Sequence, residues 1–314
     1  MTYTKVVPYV WSTWLRGFPV AWYEVRLVLC SAYGNYFLYL VCSVLLLCHW
    51  SSYAHSTTMA SKMKASDLLP EYKMDSKQRG TALIFNQEHF FWMLKLRKRS
   101  GTAKDKEDLT KRFQQLGFHV EPYDDLNKKL MMEKLQKAAE ADHTDADCFV
   151  CVFLSHGEDS HVFARDDKVD IKEITALFRG DQCKSLVGKP KIFIFQACRG
   201  DITDNAVTGM ALDEMSSEVE EDAASIYTLP AGADFLMCYC VTEGFAAFRH
   251  KTLGSFYIQD LCETLQEKGS TLEFTELLTL VNLKVSRRTH GLKKQMPCFT
   301  SMLTRKLYFR PKKE

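Results

Sequence analysis

IFIFQACRGD, residues 192–201, runs four apolar residues straight into Gln196, Ala197, Cys198, Arg199 and Gly200. Together with Lys189–Lys191 it reads as a strand buried on both faces, the pattern of a parallel sheet interior. A thiol at the exit of such a strand, bracketed by an amide and a cation, asks for more than packing. A second apolar run, DCFVCVFLSHG (residues 147–157), ends in Ser155, His156 and Gly157. In open α/β sheets, sites form outside the carboxyl ends of the strands. If the two strands are parallel neighbours, His156 and Cys198 stand side by side as base and nucleophile.

Outward from these strands, β and α patterns alternate. TALIFN (Thr81–Asn86) and FHVEPY (Phe118–Tyr123) read as strands, and DKEDLTKRFQQLGF (Asp105–Phe118) as a helix stopped by Gly117. LNKKLMMEKLQKAAE and IKEITALFRG read as helices. ADFLMCYCV reads as a strand, SFYIQDLCETLQEK and EFTELLTLVNLKV as helices, and PCFTSML and KLYF as strands. The expected class is α/β, a mostly parallel central sheet with helices on both faces.

The chain has 314 residues, 46% hydrophobic and 25% charged, with a formal net charge of +2. That balance is ordinary for a globular protein and gives no global reason to expect nucleic acid as a partner. Eleven scattered cysteines do not form a secreted disulfide framework, which points to a reduced, cytoplasmic and also nuclear setting. No metal and no cofactor is expected. Cys148 and Cys151 have C-x-x-C spacing, but strand alternation puts them on opposite faces, and Cys238 and Cys240 lack a matching ligand pair. The Gly-Lys of GDQCKSLVGKP is followed by Pro190 instead of the Ser or Thr of a phosphate loop.

A thiol is mostly protonated at neutral pH, with an ordinary pKa of about 8.5. A neighbouring imidazole supplies the base that activates it. The backbone N–H groups of Gly157 and Cys198 are placed to hold an oxyanion. This is the chemistry of acyl transfer by a cysteine hydrolase.

QACRG with SHG upstream resembles the caspase family, executioner type, and the likeness runs in order through YKMD, FVCVFLSHGE, GKPKIFIFQACRG, YTLPAGADFLMCY and FTELLTLVN. The resemblance implies a cysteine endopeptidase that cuts proteins after aspartate in apoptosis, with large and small subunits made from one precursor. The alternative is an inactive homologue that binds and regulates. By the same resemblance Cys198 is the nucleophile and His156 the base, oriented by the backbone carbonyl of Arg97. Arg99, Gln196 and Arg249 would bind the substrate aspartate. A carboxylate leaving water needs cations and donors to replace its shell, and arginine keeps its charge. Arg199 is read as bracing the loop. Family members similar to this one carry GYYS where this chain has Gly244, Phe245, Ala246 and Ala247, which implies a wider second substrate pocket.

The family also implies a homodimer of processed protomers. The linker DITDNAVTGMALDEMSSEVEEDAAS (residues 201–225) is acidic and aperiodic, an exposed segment. Its VEED, residues 219–222, suits cleavage after Asp222; Asp213 and Asp204 are weaker sites, and Asp67 would release the leader. The expected parts are a leader (1–58), a flexible prodomain-like segment (59–80), a large-subunit region (81–200), the linker (201–225) and a small-subunit region (226–314). Tyr36–Trp50 in the leader is apolar but shorter than the ~20 residues a membrane span needs. A removable segment, a membrane anchor and a signal peptide all stay open for it, and Met59 is an alternative start.

Overall fold

A computed structural model of the chain describes residues 69–158, 160–200, 202–205 and 230–312. The leader, Asp67, Asp213 and Asp222 lie outside the described residues. The chain divides into units Met1–Lys64 and Ala65–Glu314, and the fold below is that of the second.

In chain order the elements are β1 (Thr81–Asn86), α1 (Thr102–Gln115), β2 (His119–Asp124), α2 (Lys128–Glu140) and β3 (Phe149–Leu154). Three short strands follow, β4 (Gly157–Glu158), β5 (His161–Phe163) and β6 (Lys168–Asp170), then α3 (Ile171–Ala176), β7 (Lys191–Gln196) and β8 (Asp204–Asn205). β8 lies inside the segment read as an exposed linker, whose start is thus paired with the body; beyond it come β9 (Phe235–Tyr239), β10 (Arg249–His250), β11 (Gly254–Ser255), α4 (Phe256–Lys268), α5 (Phe274–Arg287), β12 (Lys293–Lys294) and β13 (Cys298–Ser301). The main sheet has the order β13-β9-β7-β3-β1-β2. Every pair in it is parallel except β13 with β9.

Strand alternation divides the core between two faces. Ala82 and Ile84 of β1 join Leu109 and Phe113 of α1, Leu261 of α4 and Val281 of α5 on one side. Leu83 and Phe85 join Met131 and Leu135 of α2 and Ile174 of α3 on the other. Helices therefore cover both faces, as the α/β pattern predicts. Cys148 falls in the first cluster and Cys151 in the second, opposite sides of the sheet. On the second face Tyr123, Phe85, Phe153, Phe195 and Tyr239 stack in one row across adjacent strands, neighbouring centroids 5.2–5.4 Å apart. Offset stacking adds to the burial of large rings, and this row pins the registers of the strands that carry the site.

Three elements differ from the sequence reading. Helix α1 begins at Thr102, three residues before Asp105, with Gly101 as its N-cap at φ 91°. KLYF is not a ladder strand: Leu307 N–H donates to Glu273 Oε1, its carbonyl accepts from Phe274 N–H, and Lys306 makes only an isolated bridge with Glu71. Its alternation reports burial of Leu307 and Phe309 rather than pairing. The end of the stretch read as a flexible lead-in is packed. Tyr72 is buried and its hydroxyl donates to Asp234 Oδ1 at 2.6 Å, and buried Arg79 pairs with Asp147.

Candidate functional site

β3 and β7 are parallel and in register through their last residues, Leu154 opposite Gln196. His156 and Cys198 each follow two residues later. The adjacency is close at the next step: a Cβ built on Gly157 would sit 2.8 Å from the Cβ of Ala197 and from the carbonyl oxygen of Cys198. No side chain fits there, so the glycine is what lets the two exits touch.

His156 is held from three sides. Its Nε2–H donates to the carbonyl of Arg97 at 2.7 Å. A carbonyl only accepts, so Nε2 carries the proton and Nδ1 keeps a lone pair. The ring of Phe90 lies 4.9 Å away, tilted, and the His156 carbonyl is bound by Phe163 N–H of the small β4-β5-β6 sheet. Burial, reinforced by Arg99 and Arg249, lowers the imidazole pKa to about 4 against the pull of the Arg97 carbonyl. The ring is neutral at pH 7, the form that accepts a proton. Cys198 Sγ is approached by Ala247 N–H at 3.5 Å, and the Cys198 N–H donates to no backbone carbonyl among the described residues.

Beside this pair lies a cationic pocket. Arg99 is 1% exposed. Its Nη1 donates to Gln87 O and Thr102 Oγ1, and its Nη2 reaches Gln196 O at 3.4 Å. Arg249 reaches the same place from β10, its Nε donating to Ser100 O at 3.1 Å. Burial first, then the Arg249 charge, pulls the Arg99 pKa down to about 9. The two like charges disfavour each other, and the carboxylate of Asp105 offsets them only in part. Arg99 Nε and Gln196 Oε1 are buried with no hydrogen-bond partner among the described residues. Buried orphan polar atoms are uncommon in a finished core, and here they share a pocket with excess positive charge.

The sequence reading missed three supports. Asp105, in the first turn of α1, accepts from Ser255 N and Oγ at 2.7 and 2.6 Å. Burial pushes its carboxyl up, while Ser255 and the charges of Arg99 and Arg249 oppose that, so it is the buried counter-charge of the pocket. Phe90 is a positioning residue for His156. Gly101 lets the Arg99 loop meet β10, since a Cβ there would lie 2.4 Å from His250 O. The only signals for these were an acid at a helix start, one aromatic among several, and a glycine in a basic loop.

Arg199 points away from the pocket: its guanidinium lies 4.3 Å from the Tyr239 centroid and pairs with Glu243 at 2.9 Å. The loop after Cys198 is tied to the 244–246 segment, with Arg199 N–H to Phe245 O, Gly244 N–H to Arg199 O and Ala246 N–H to Ile202 O. Asp204 is paired opposite Lys294 in the β8-β12 ladder.

A family model described as the caspase domain matches residues 79–308. Caspase-6 of Mus musculus is 54% identical over 259 residues, covering 78% of this chain and 94% of the relative. Caspase-6 of Bos taurus is 54% identical over 260 residues, 78% of this chain and 89% of the relative. Caspase-7 of Gallus gallus is 41% identical over 250 residues, 76% of this chain and 80% of the relative.

Proposed function

The chain belongs to the caspase family, cysteine endopeptidases that cut proteins after aspartate and act in apoptosis, and we propose that Cys198 and His156 carry out that cleavage here. Nδ1 of His156 takes the thiol proton as Sγ attacks the scissile carbonyl carbon. The new C–S bond pushes the carbonyl electrons onto oxygen, where the N–H groups of Gly157 and Cys198 receive them. On collapse the C–N bond breaks, His156 returns its proton to the leaving amine, and an acyl thioester remains. Water, deprotonated by His156, then releases the acid and the free thiol.

Arg99, Arg249 and Gln196 hold the substrate aspartate. Charge-assisted hydrogen bonds are worth about 1.5–3 kcal/mol each, and an uncharged side chain would leave both guanidinium groups as they stand. The observation that carries this reading is the common exit of β3 and β7, with His156 Nε2 committed to Arg97 O. Hydrolysis of peptides with Asp, Asn or Glu at the cut position, by the chain and by Cys198→Ala, tests it: cleavage confined to Asp and absent in Cys198→Ala is expected.

Processing after Asp222, Asp213 or Asp67 belongs to the same reading, as do the boundaries 81–200 and 226–314. Asp204 is less accessible, because cutting there needs release from β12. A homodimer is proposed through β13, an edge strand whose outer side has no partner within the main sheet; such an edge is a template for a second strand. A cytoplasmic and nuclear setting fits the eight described cysteines, all free. No helix among the described residues is long and apolar enough to cross a membrane.

A further inference from the structure

The loop FFWMLKLR, residues 90–97, starts and ends on one residue. Phe90 packs on the His156 ring and Arg97 accepts its Nε2–H. Between them the chain makes a six-residue excursion, with a short turn of helix at Trp92–Leu94. Such an excursion reaches no further than about three residues, ~10 Å, from its base. Its tip is apolar and open to solvent: Trp92 is 83% and Met93 69% exposed. Lys95 and Arg97 follow it, both exposed. Exposed Arg165 flanks it, its carbonyl accepting from Phe91 N–H at 2.7 Å and its guanidinium 5.6 Å from the Phe91 ring.

The neighbouring charges are already matched. Lys98 pairs with Glu88, His89 with Asp125, and Lys128 with Asp167. Lys95, Arg97 and Arg165 have no carboxylate within ion-pair distance among the described residues. An aromatic tip beside three unmatched cations is therefore joined directly to the residue that handles the proton.

We propose that this rim binds an acidic segment of the protein substrate on the leaving-group side of the cut. The inference rests on the roles given to His156 and Cys198 above. A general acid must face the amine it protonates, so a loop built on His156 lies toward the residues that follow the cut aspartate. Arg99, Gln196 and Arg249 serve the aspartate itself. At ~3.4 Å per extended residue, the ~10 Å reach of the rim meets the second to fourth residues after the cut. Carboxylates there complement Lys95, Arg97 and Arg165, and apolar neighbours complement Trp92. Rim charges act on encounter and selectivity and are screened by salt.

The test uses two polypeptides identical through the cut aspartate, with Glu or Ala at the second to fourth positions after it. The full chain is compared with a Lys95→Glu, Arg165→Glu double variant. The wild-type chain is expected to cleave the Glu polypeptide about tenfold faster in kcat/KM, a preference that shrinks at high salt. The variant should lose the preference and cut the Ala polypeptide as before. No preference in the wild-type chain, or the same preference in the variant, overturns the inference. If the wild-type chain cuts neither polypeptide, the protease reading fails separately. The rim is then judged by fluorescence anisotropy of a labelled Glu-rich peptide on Cys198→Ala: binding lost with the double variant supports it, and absent or unchanged binding overturns it. Binding of phosphatidylserine vesicles in place of the peptide also overturns it and assigns the tip to a lipid surface.

Discussion

Leu154 and Gln196 face each other across the last rung of the β3-β7 ladder. Everything after that rung follows from two residues of further chain on each side. His156 and Cys198 are placed at neighbouring strand exits by the β3-β7 register, which a row of stacked rings holds. The proposed site therefore rests on the rigid frame of the sheet, the kind of support that catalytic geometry requires.

Replacing Cys198 by Ala or Ser should abolish peptide hydrolysis, a loss of about 10⁴-fold or more in kcat/KM. Circular dichroism and thermal unfolding should be near wild type, since Cys198 lies past the strand in a half-buried position.

The acid limb of kcat/KM should fall well below the ordinary imidazole range, toward pH 4. Phe90→Ala opens the ring to water and should move that limb up toward about 6.5. A purely structural role for Phe90 would lower stability without moving the limb. The linkage has a definite sign. The folded imidazole has a lowered pKa, so its contribution to stability is full above about pH 6.5. It is lost as pH falls toward about 4, because the unfolded chain takes up the proton first. His156→Gln should flatten the denaturation midpoint across that window.

Arg249→Ala should cut kcat/KM for an Asp peptide by about 10²–10³-fold, the worth of one or two charge-assisted bonds. It should barely change the rate on an Asn peptide, so the Asp-to-Asn ratio collapses. The same change removes the like charge beside Arg99, so stability to denaturant should hold or rise despite the lost side chain.

Gly101→Ala should destabilise the chain by about 1–3 kcal/mol, through a φ of 91° that L-residues avoid. Its Cβ would also meet His250 O at 2.4 Å. Displacing β10 moves Arg249, so KM for an Asp peptide should rise. Urea unfolding and steady-state kinetics on the one variant check both.

The sheet was legible because its interior strands are continuous apolar runs: TALIFN is β1 to the residue, and the runs ending in LSHG and QACRG hold β3 and β7. The burial of Arg99 had no local signal in the sequence, and the pocket role proposed for Arg99 and Arg249 comes from the family resemblance alone. In LRKRSG nothing local separates Arg99, buried by contacts with residues 87, 102 and 196, from exposed Arg97 and Lys98. Asp105 was invisible for a related reason. Its partner Ser255 lies 150 residues away, and no local pattern encodes a contact of that span. KLYF misled because two buried residues alternate without a ladder, and the strands β4 to β6 are too short to show a period.

β7 and β9 are hydrogen-bonded along their length in the middle of one sheet, yet they come from opposite sides of the linker. Severing that linker would leave the folded body intact but turn its refolding into an association of two chains. The nicked protein should then recover from denaturant at a rate that rises with protein concentration, while the uncut chain recovers at a rate independent of it.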